Sequence, residues 1–577
     1  MSGNSGHVID GKGKAREAPE KKPRPARKVV PIVFVPGIAG SNLRTKPDQR
    51  AQVRKDLELA ESKPLPHPWA PPAWPSPLKK ALKLWKGFSA RERQILLNHE
   101  TTEVDDRGFL DGGARGITPE NLHSAERSFR GWDSVNGTCY FGILSYLEAL
   151  EPWVNARHQE ADPKPAEGLS AKELPYLLQR IVPGSSFEGN LRELEKRGLG
   201  ACRIPLATAQ KVCQYCLPVF AVGYNWLQSN KKSAANLLSA IARIIDIYNK
   251  AEAADGSRPF TCGKVVLVTH SMGGLVARSA FKTDRGRTIL GMVHFVMPAA
   301  GSPAAYRRMA AGTERGGFGE DPPVKLANAA AILMGWTQQL TTPVMANNPG
   351  CLELLPTMDH PPGWLVAAFR RVGGKHDPIF RLPINDPYEE IYKKKRAWYR
   401  LVDHELMNPA KLLRHEKIDF WKEYLKNLDR AKSFHREIKK YPPAKFPVHA
   451  CIIDDPRKPA FGTVRWLLTH FSRPIHLTKG RALTLAVKNA AAGGAHRSTV
   501  ARENDFSQPA ELTWEIQDPE DPGDGTVPST SAIVPKHHGL DGRIYSTPGY
   551  SHAFAGWDVG IQDFTTWAIC KAMEKME

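Results

Sequence analysis

Ser271 lies in residues 264–274, Lys-Val-Val-Leu-Val-Thr-His-Ser-Met-Gly-Gly, where an apolar β-branched run meets a pair of glycines. Val265, Val266, Leu267 and Val268 have the pattern of a strand covered on both faces, and Leu275, Val276, Ala277 and Ala280 continue as a helix. A serine on such a sharp strand-to-helix turn holds its hydroxyl above the sheet as a nucleophile, and the residues two before and two after it must be small. Gly273 meets that need and Thr269 stands where a first glycine is usual, so the motif is one residue short of G-x-S-x-G. The plainer reading of Ser271 is a helix N-cap.

A serine hydroxyl is a weak nucleophile unless a histidine takes its proton and an acid orients the histidine. In a fold with this elbow the chain order is Ser, acid, His. Residues 518–528 form an acidic, turn-rich loop in which Asp524, between Gly523 and Gly525, is best placed to project into a site, with Asp521 as the alternative acid. A solvated or cation-binding Asp/Gly turn would carry the same residues. His552 follows, on a loop before the final helical segment. His294 falls inside an apolar strand and reads as a core residue, while His537 and His538 read as exposed loop residues. Developing negative charge needs two backbone N–H donors, one after the nucleophile and one from a glycine-rich loop after an early strand. Met272 and Ile38, the latter within Pro36-Gly-Ile-Ala-Gly40, hold those positions.

The elements that must position these groups alternate. An apolar strand ends near Val35; residues 217–227 form another and lead into a helix at 231–250 with apolar positions three and four apart; the elbow strand and its helix follow, then a strand at 289–297. Strand and helix in alternation build a parallel sheet with helices on both faces.

A chain of 577 residues with 41% hydrophobic content supports a substantial core, and no stretch approaches the roughly 20 consecutive apolar residues that cross a bilayer. Residues 1–28 are polar and basic without an apolar h-region, which predicts a flexible leader and no Sec-type signal peptide. Cys213 and Cys216 lack the second pair or nearby histidines of a zinc site, so no metal and no cofactor is expected. The formal charge of +20 attracts polyanions. The basic residues are dispersed and no nucleic-acid signature accompanies them, which favours anionic lipid over nucleic acid. Residues 77–88 form a basic amphipathic pattern: Lys79, Lys80, Lys83 and Lys86 on one side, Leu78, Leu82, Trp85 and Phe88 on the other. Lys79, Lys80, Lys83, Trp85 and Lys86 are thus candidates for membrane contact; a helix packed on its own protein has the same pattern.

Pro36-Gly-Ile-Ala-Gly-Ser-Asn-Leu43, Gly223-Tyr-Asn-Trp226, Thr269-His-Ser-Met-Gly-Gly274 and Gly523-Asp-Gly-Thr-Val-Pro528 together resemble lipases related to GPI-inositol deacylase and lecithin–cholesterol acyltransferase. Phe129-Arg-Gly-Trp-Asp-Ser-Val135, Pro349-Gly-Cys-Leu-Glu-Leu-Leu-Pro356 and Gly549-Tyr-Ser-His-Ala-Phe554 resemble bacterial lipase effectors delivered by type VI secretion. The expected fold is α/β: an α/β-hydrolase over residues 29–577 with a mostly parallel central sheet, helices on both faces, and two large, mainly helical cap insertions at about 45–215 and 303–510. The resemblance implies phospholipid ester hydrolysis, synthesis in a bacterial cytoplasm, secretion into the periplasm of a target cell, a secretion-spike component and a cognate immunity protein as partners. An acyltransferase would use the same residues, and a membrane-binding module on an inactive hydrolase scaffold is the non-enzymatic alternative.

Overall fold

The computed structural model describes residues 26–69, 87–106, 109–110, 127–150, 166–252, 256–314, 334–370, 376–412, 419–473, 475–489, 496–501, 509–540, 542–549 and 551–576. Its central sheet is built from β1 (Ile32–Val35), β2 (Val219–Ala221), β3 (Val265–His270), β4 (Ile289–Phe295), β7 (Val448–Ile453) and β12 (Ile544–Thr547). The spatial order is β12-β7-β4-β3-β1-β2, and every neighbouring pair runs parallel.

The continuous apolar runs of these strands follow from burial on both faces. Side chains alternate along a strand, so Val33, Val35, Val265 and Leu267 enter one core while Ile32, Phe34, Val266 and Val268 enter the other. The first core takes α2 (Asn230–Lys250) through Leu237, Ile241 and Ile244, and α3 (Gly273–Asp284) through Leu275 and Val276. The second takes α1 (Gly137–Glu148) through Tyr140, Ile143 and Leu147, and the C-terminal helix α7 (Val559–Met573) through Ile561, Phe564 and Ala568. Helices therefore cover both faces. Ser229 caps α2 by accepting from the Lys231 N–H at 3.2 Å, and the buried carboxylate of Glu353 accepts from the Asn230 N–H at 2.7 Å.

The segment after β4 differs from the expectation of a mainly helical insertion. It contains α4 (Pro303–Ala311), α5 (Gln338–Met345) and α6 (Phe420–Ile438). It also contains a six-stranded mixed sheet of β5 (Leu365–Arg370), β6 (His376–Leu382), β8 (Val464–Phe471), β9 (Ala486–Asn489), β10 (His496–Ala501) and β11 (Ala510–Ile516), ordered β6-β5-β8-β11-β10-β9. The reason is aromatic burial on one face of that sheet. Trp398 stacks on Trp514 with ring centres 4.4 Å apart and meets Trp466 edge-on at 5.8 Å, while Leu365, Val464 and Leu512 join the same core. Among the described residues of the stretch 388–440 in that insertion, Tyr388–Tyr392, a short turn at His404–Leu406 and α6 are helical. Residues 393–403 instead fold in to bury Trp398, Tyr399 and Leu401.

A strand at Arg27–Val29 pairs in parallel with Tyr215–Cys216 and Phe260–Cys262, so the end of the segment 1–28 expected as a flexible leader is part of a sheet. Of residues 77–88, Lys79, Lys80, Lys83, Trp85 and Lys86 lie outside the described residues; Phe88 is buried in the main core. Cys213 and Cys216 are buried and in no disulfide.

Burial also sets a pH response. It lowers the rings of His270 and His294 to about 3, and those of His360, His435 and His449 to about 4, from an ordinary value of 6.5. Between pH 6.5 and 4 the unfolded chain binds protons that these folded rings refuse, so each withdraws stability as pH falls through that range. Burial raises Glu353 from 4.5 to about 7, and this single carboxyl acts in the opposite sense by favouring the folded state toward acid. The rings outweigh it. The thermal unfolding midpoint is expected to drop steeply from pH 6.5 to pH 5, and calorimetry finding a flat midpoint there would contradict their neutral burial.

Candidate active site

The parallel sheet delivers its site from the C-terminal ends of the strands, where loops are free to converge. Ser271 follows β3 directly, with φ of +52°. A non-glycine residue held in that left-handed region stores about 1–3 kcal/mol of strain. The turn is held from both sides: the Ser271 N–H donates to the Phe295 carbonyl at 3.1 Å, and the Gly274 N–H donates to the Ser271 carbonyl at 3.0 Å. A Cβ at Gly273 would run into the carbonyl oxygens of Val35 and Pro36, which is why the position two after Ser271 is glycine. Two positions before it, Thr269 is tolerated because its hydroxyl points at the cross-strand partner His294 and lies 2.7 Å from Nδ1. His294 is fully buried.

Asp524 sits just beyond the strand Asp521–Gly523, on a loop whose backbone turns back on its carboxylate. Oδ1 accepts from the N–H groups of Thr526 at 2.9 Å and Val527 at 2.7 Å. Oδ2 is left for His552 Nδ1 at 2.7 Å, and the Asp524 carbonyl accepts the His552 N–H at 2.8 Å. His552 opens a 3₁₀ turn, His552–Trp557, and its Nε2 lies 2.8 Å from Ser271 Oγ. Because a carboxylate only accepts, Nδ1 carries the ring proton and Nε2 presents a lone pair to the serine hydroxyl. Ser271 and Asp524 are 3% and 2% exposed, so this chain of bonds is shielded from bulk water.

Asp521 goes elsewhere: its Oδ2 accepts from the N–H groups of Gly462 and Thr463 at 3.1 and 2.9 Å. His537 is exposed, and His538 faces Asp359 at 3.7 Å.

The loop after β1 lies against the serine. A Cβ on Gly37 would come within 2.9 Å of Ser271 Cβ and 2.8 Å of His270 Nδ1. Tyr224 anchors this loop by donating its hydroxyl to the Pro36 carbonyl at 3.0 Å, and its N–H donates to Ser41 Oγ at 3.0 Å. Among the described residues, the N–H groups of Ile38 and Met272 have no hydrogen-bond partner. Met272 also caps α3, so the positive end of that helix faces the same place. Sequence reading did not single out Tyr140, Tyr224 or His270 as individual residues. The last two stand inside the Gly223 and Thr269 motifs, and only those motifs could have signalled them.

Two clefts, of about 370 and 110 Å³, share His99, Glu100 and Arg430; the larger reaches Ser229 and Lys232 at the start of α2, the smaller runs along Phe420, Tyr424 and Asn427 of α6, and neither is lined by Ser271, Asp524 or His552. Among the described residues no cluster of His, Cys, Asp and Glu could hold a metal ion.

Residues 228–316, which include α2, the elbow, α3 and β4, match the family model of the PGAP1-like alpha/beta domain. The structure is similar to a chain of the Tle4-Tli4 complex, with a TM-score of 0.65 and 24% identity over 96% of this chain and 100% of that one. A sequence comparison with curated proteins finds no match. The fold is that of an α/β-hydrolase.

Proposed function

We propose that this chain is a serine esterase that cleaves acyl esters of membrane phospholipids, with Ser271 as nucleophile, His552 as base and Asp524 as its orienting acid. The observation that carries the reading is the unbroken chain from Ser271 Oγ to His552 Nε2 at 2.8 Å and from His552 Nδ1 to Asp524 at 2.7 Å, beside two unengaged backbone donors. In the first half-reaction, Oγ attacks the ester carbon as its proton passes to Nε2, and the carbonyl oxygen becomes an oxyanion held by the Ile38 and Met272 N–H groups. One such donor typically contributes about 2.7–4 kcal/mol in the transition state. The tetrahedral species collapses, the C–O bond breaks, and the departing alcohol takes the proton from Nε2. Water then repeats the sequence on the acyl-enzyme, releasing a carboxylic acid and restoring Ser271.

The choice of phospholipid draws on the sequence resemblance to lipases, the likeness to a chain of the Tle4-Tli4 complex, and the charge of +20, which favours anionic surfaces. On the same grounds we infer export by a type VI system to the periplasm of a neighbouring bacterium, with an immunity protein as partner. No helix among the described residues is long and apolar enough to cross a membrane.

Vesicles of phosphatidylethanolamine and phosphatidylglycerol, incubated with the protein and followed by mass spectrometry, test the substrate and the bond. Equal amounts of lysophospholipid and free fatty acid are expected. Release of a headgroup would contradict the reading, and acyl chains recovered on an added alcohol in place of free acid would reassign it to acyl transfer.

A further inference from the structure

His270 and Tyr140 are almost completely buried, at 4% and 3% exposure, and no step above uses either. His270 precedes the nucleophile but is turned away from it. Its Nε2 lies 2.9 Å from the main-chain carbonyl of His552, and its Nδ1 lies 3.1 Å from the hydroxyl of Tyr140 on α1. That hydroxyl oxygen in turn accepts from the N–H of Gly37 at 3.0 Å.

The direction of each bond is dictated by its partner. A carbonyl only accepts, so Nε2 carries the imidazole proton. Burial keeps the ring neutral, which leaves Nδ1 as an acceptor for the Tyr140 O–H. The phenol is kept protonated by the same burial. The hydroxyl, having spent its proton on His270, has lone pairs for the Gly37 N–H. The chain therefore runs without a mismatch from the loop that carries the base to the loop that carries one oxyanion donor.

Its end point is one peptide from that donor. The Gly37 carbonyl accepts from the Gly40 N–H at 3.1 Å. In a trans peptide the C=O and the next N–H point in opposite directions. With its N–H held by Tyr140 and its C=O held by Gly40, Gly37 leaves the Ile38 N–H a single orientation.

We propose that Tyr140 and His270 are positioning residues which tie the backbone of His552 to the oxyanion loop, so that base and oxyanion donor keep one spacing during the reaction. The proposal rests on the reading of Ser271, His552 and Asp524 given above.

Tyr140→Phe keeps the ring against Phe34, at 5.0 Å between centres, and removes only the hydroxyl. Rates are measured on a short soluble ester and expressed per active site, counted by titration with a fluorophosphonate that labels Ser271. The expected result is a fall in kcat of about 10- to 100-fold, less than the 10²–10³ of losing an oxyanion donor outright, with KM changed less than about twofold. Affinity for a boronic acid that mimics the tetrahedral species should fall by the same factor as kcat. His270→Leu should behave alike, and the double variant should be no slower than the slower single one, because both cut one chain. Each is checked for a cooperative thermal transition, and either variant alone carries the test if the other does not fold. Unchanged kcat per titrated site, or losses that multiply in the double variant, would overturn the proposal while leaving the nucleophile assignment standing. A parent protein not labelled at Ser271 would overturn both.

Discussion

Replacing Ser271 with alanine is expected to abolish ester cleavage while the protein stays folded. In serine hydrolases, removal of the nucleophile costs about 10⁶-fold in kcat, and the residue of activity comes from the oxyanion donors and binding. The same logic applies here, because the attacking atom is lost and the N–H groups of Ile38 and Met272 remain. The fold should not suffer. Ser271 Oγ is hydrogen-bonded to His552 Nε2, and the bonds that secure the turn are made by main-chain atoms of Ser271, Gly274 and Phe295. Circular dichroism and a thermal midpoint within a few degrees of the parent would separate loss of chemistry from loss of structure.

Asp524→Asn should have the next largest effect, about 10⁴-fold in kcat, by favouring the wrong tautomer of His552. An amide can turn its NH₂ toward Nδ1, which puts the imidazole proton on Nε2 and takes away the lone pair that faces Ser271. The loop geometry should survive, since the amide oxygen can still accept from the Thr526 and Val527 N–H groups that now bond Oδ1. Asp521→Asn is the matched control and should keep nearly full kcat, because Asp521 serves the backbone of Gly462 and Thr463. Equal losses in the two variants, measured on the same soluble ester, would undo the distinction drawn between these carboxylates.

What could be read from the chain alone depended on how local the signal was. The turn around Ser271 is local: apolar β-branched residues before it and small ones after it describe a strand, a strained corner and a helix within eleven positions. The order of strand and helix around it describes a parallel sheet. His552 and Asp524 could be placed in chain order and on loops, but the approach of His552 to Ser271 across 281 positions, with Asp524 behind it, is visible only once β3 and the loops beyond β12 and the Asp521–Gly523 strand share one edge of the sheet. Tyr140 was hidden for the same reason. It is an ordinary core position of α1 until that helix brings its hydroxyl to His270, 130 residues away. The second sheet was missed differently. Ala510–Ile516 does alternate buried and solvent-facing residues with period two, whereas β5 is an apolar run from Leu365 to Phe369 of a kind that helix and strand share. The stack of Trp398 on Trp514 that commits this region to a sheet joins residues far apart in the chain.

The proposed reaction turns on Ser271, which carries the acyl group between the two half-reactions. The direct measurement is rapid acid quenching of the protein during turnover of a p-nitrophenyl ester, followed by digestion and mass spectrometry of the peptide containing Ser271. That peptide is expected to be heavier by the mass of the acyl group, with the adduct on Ser271 and absent from Ser271→Ala. An acyl group found on another residue, or turnover that continues in Ser271→Ala, would contradict it.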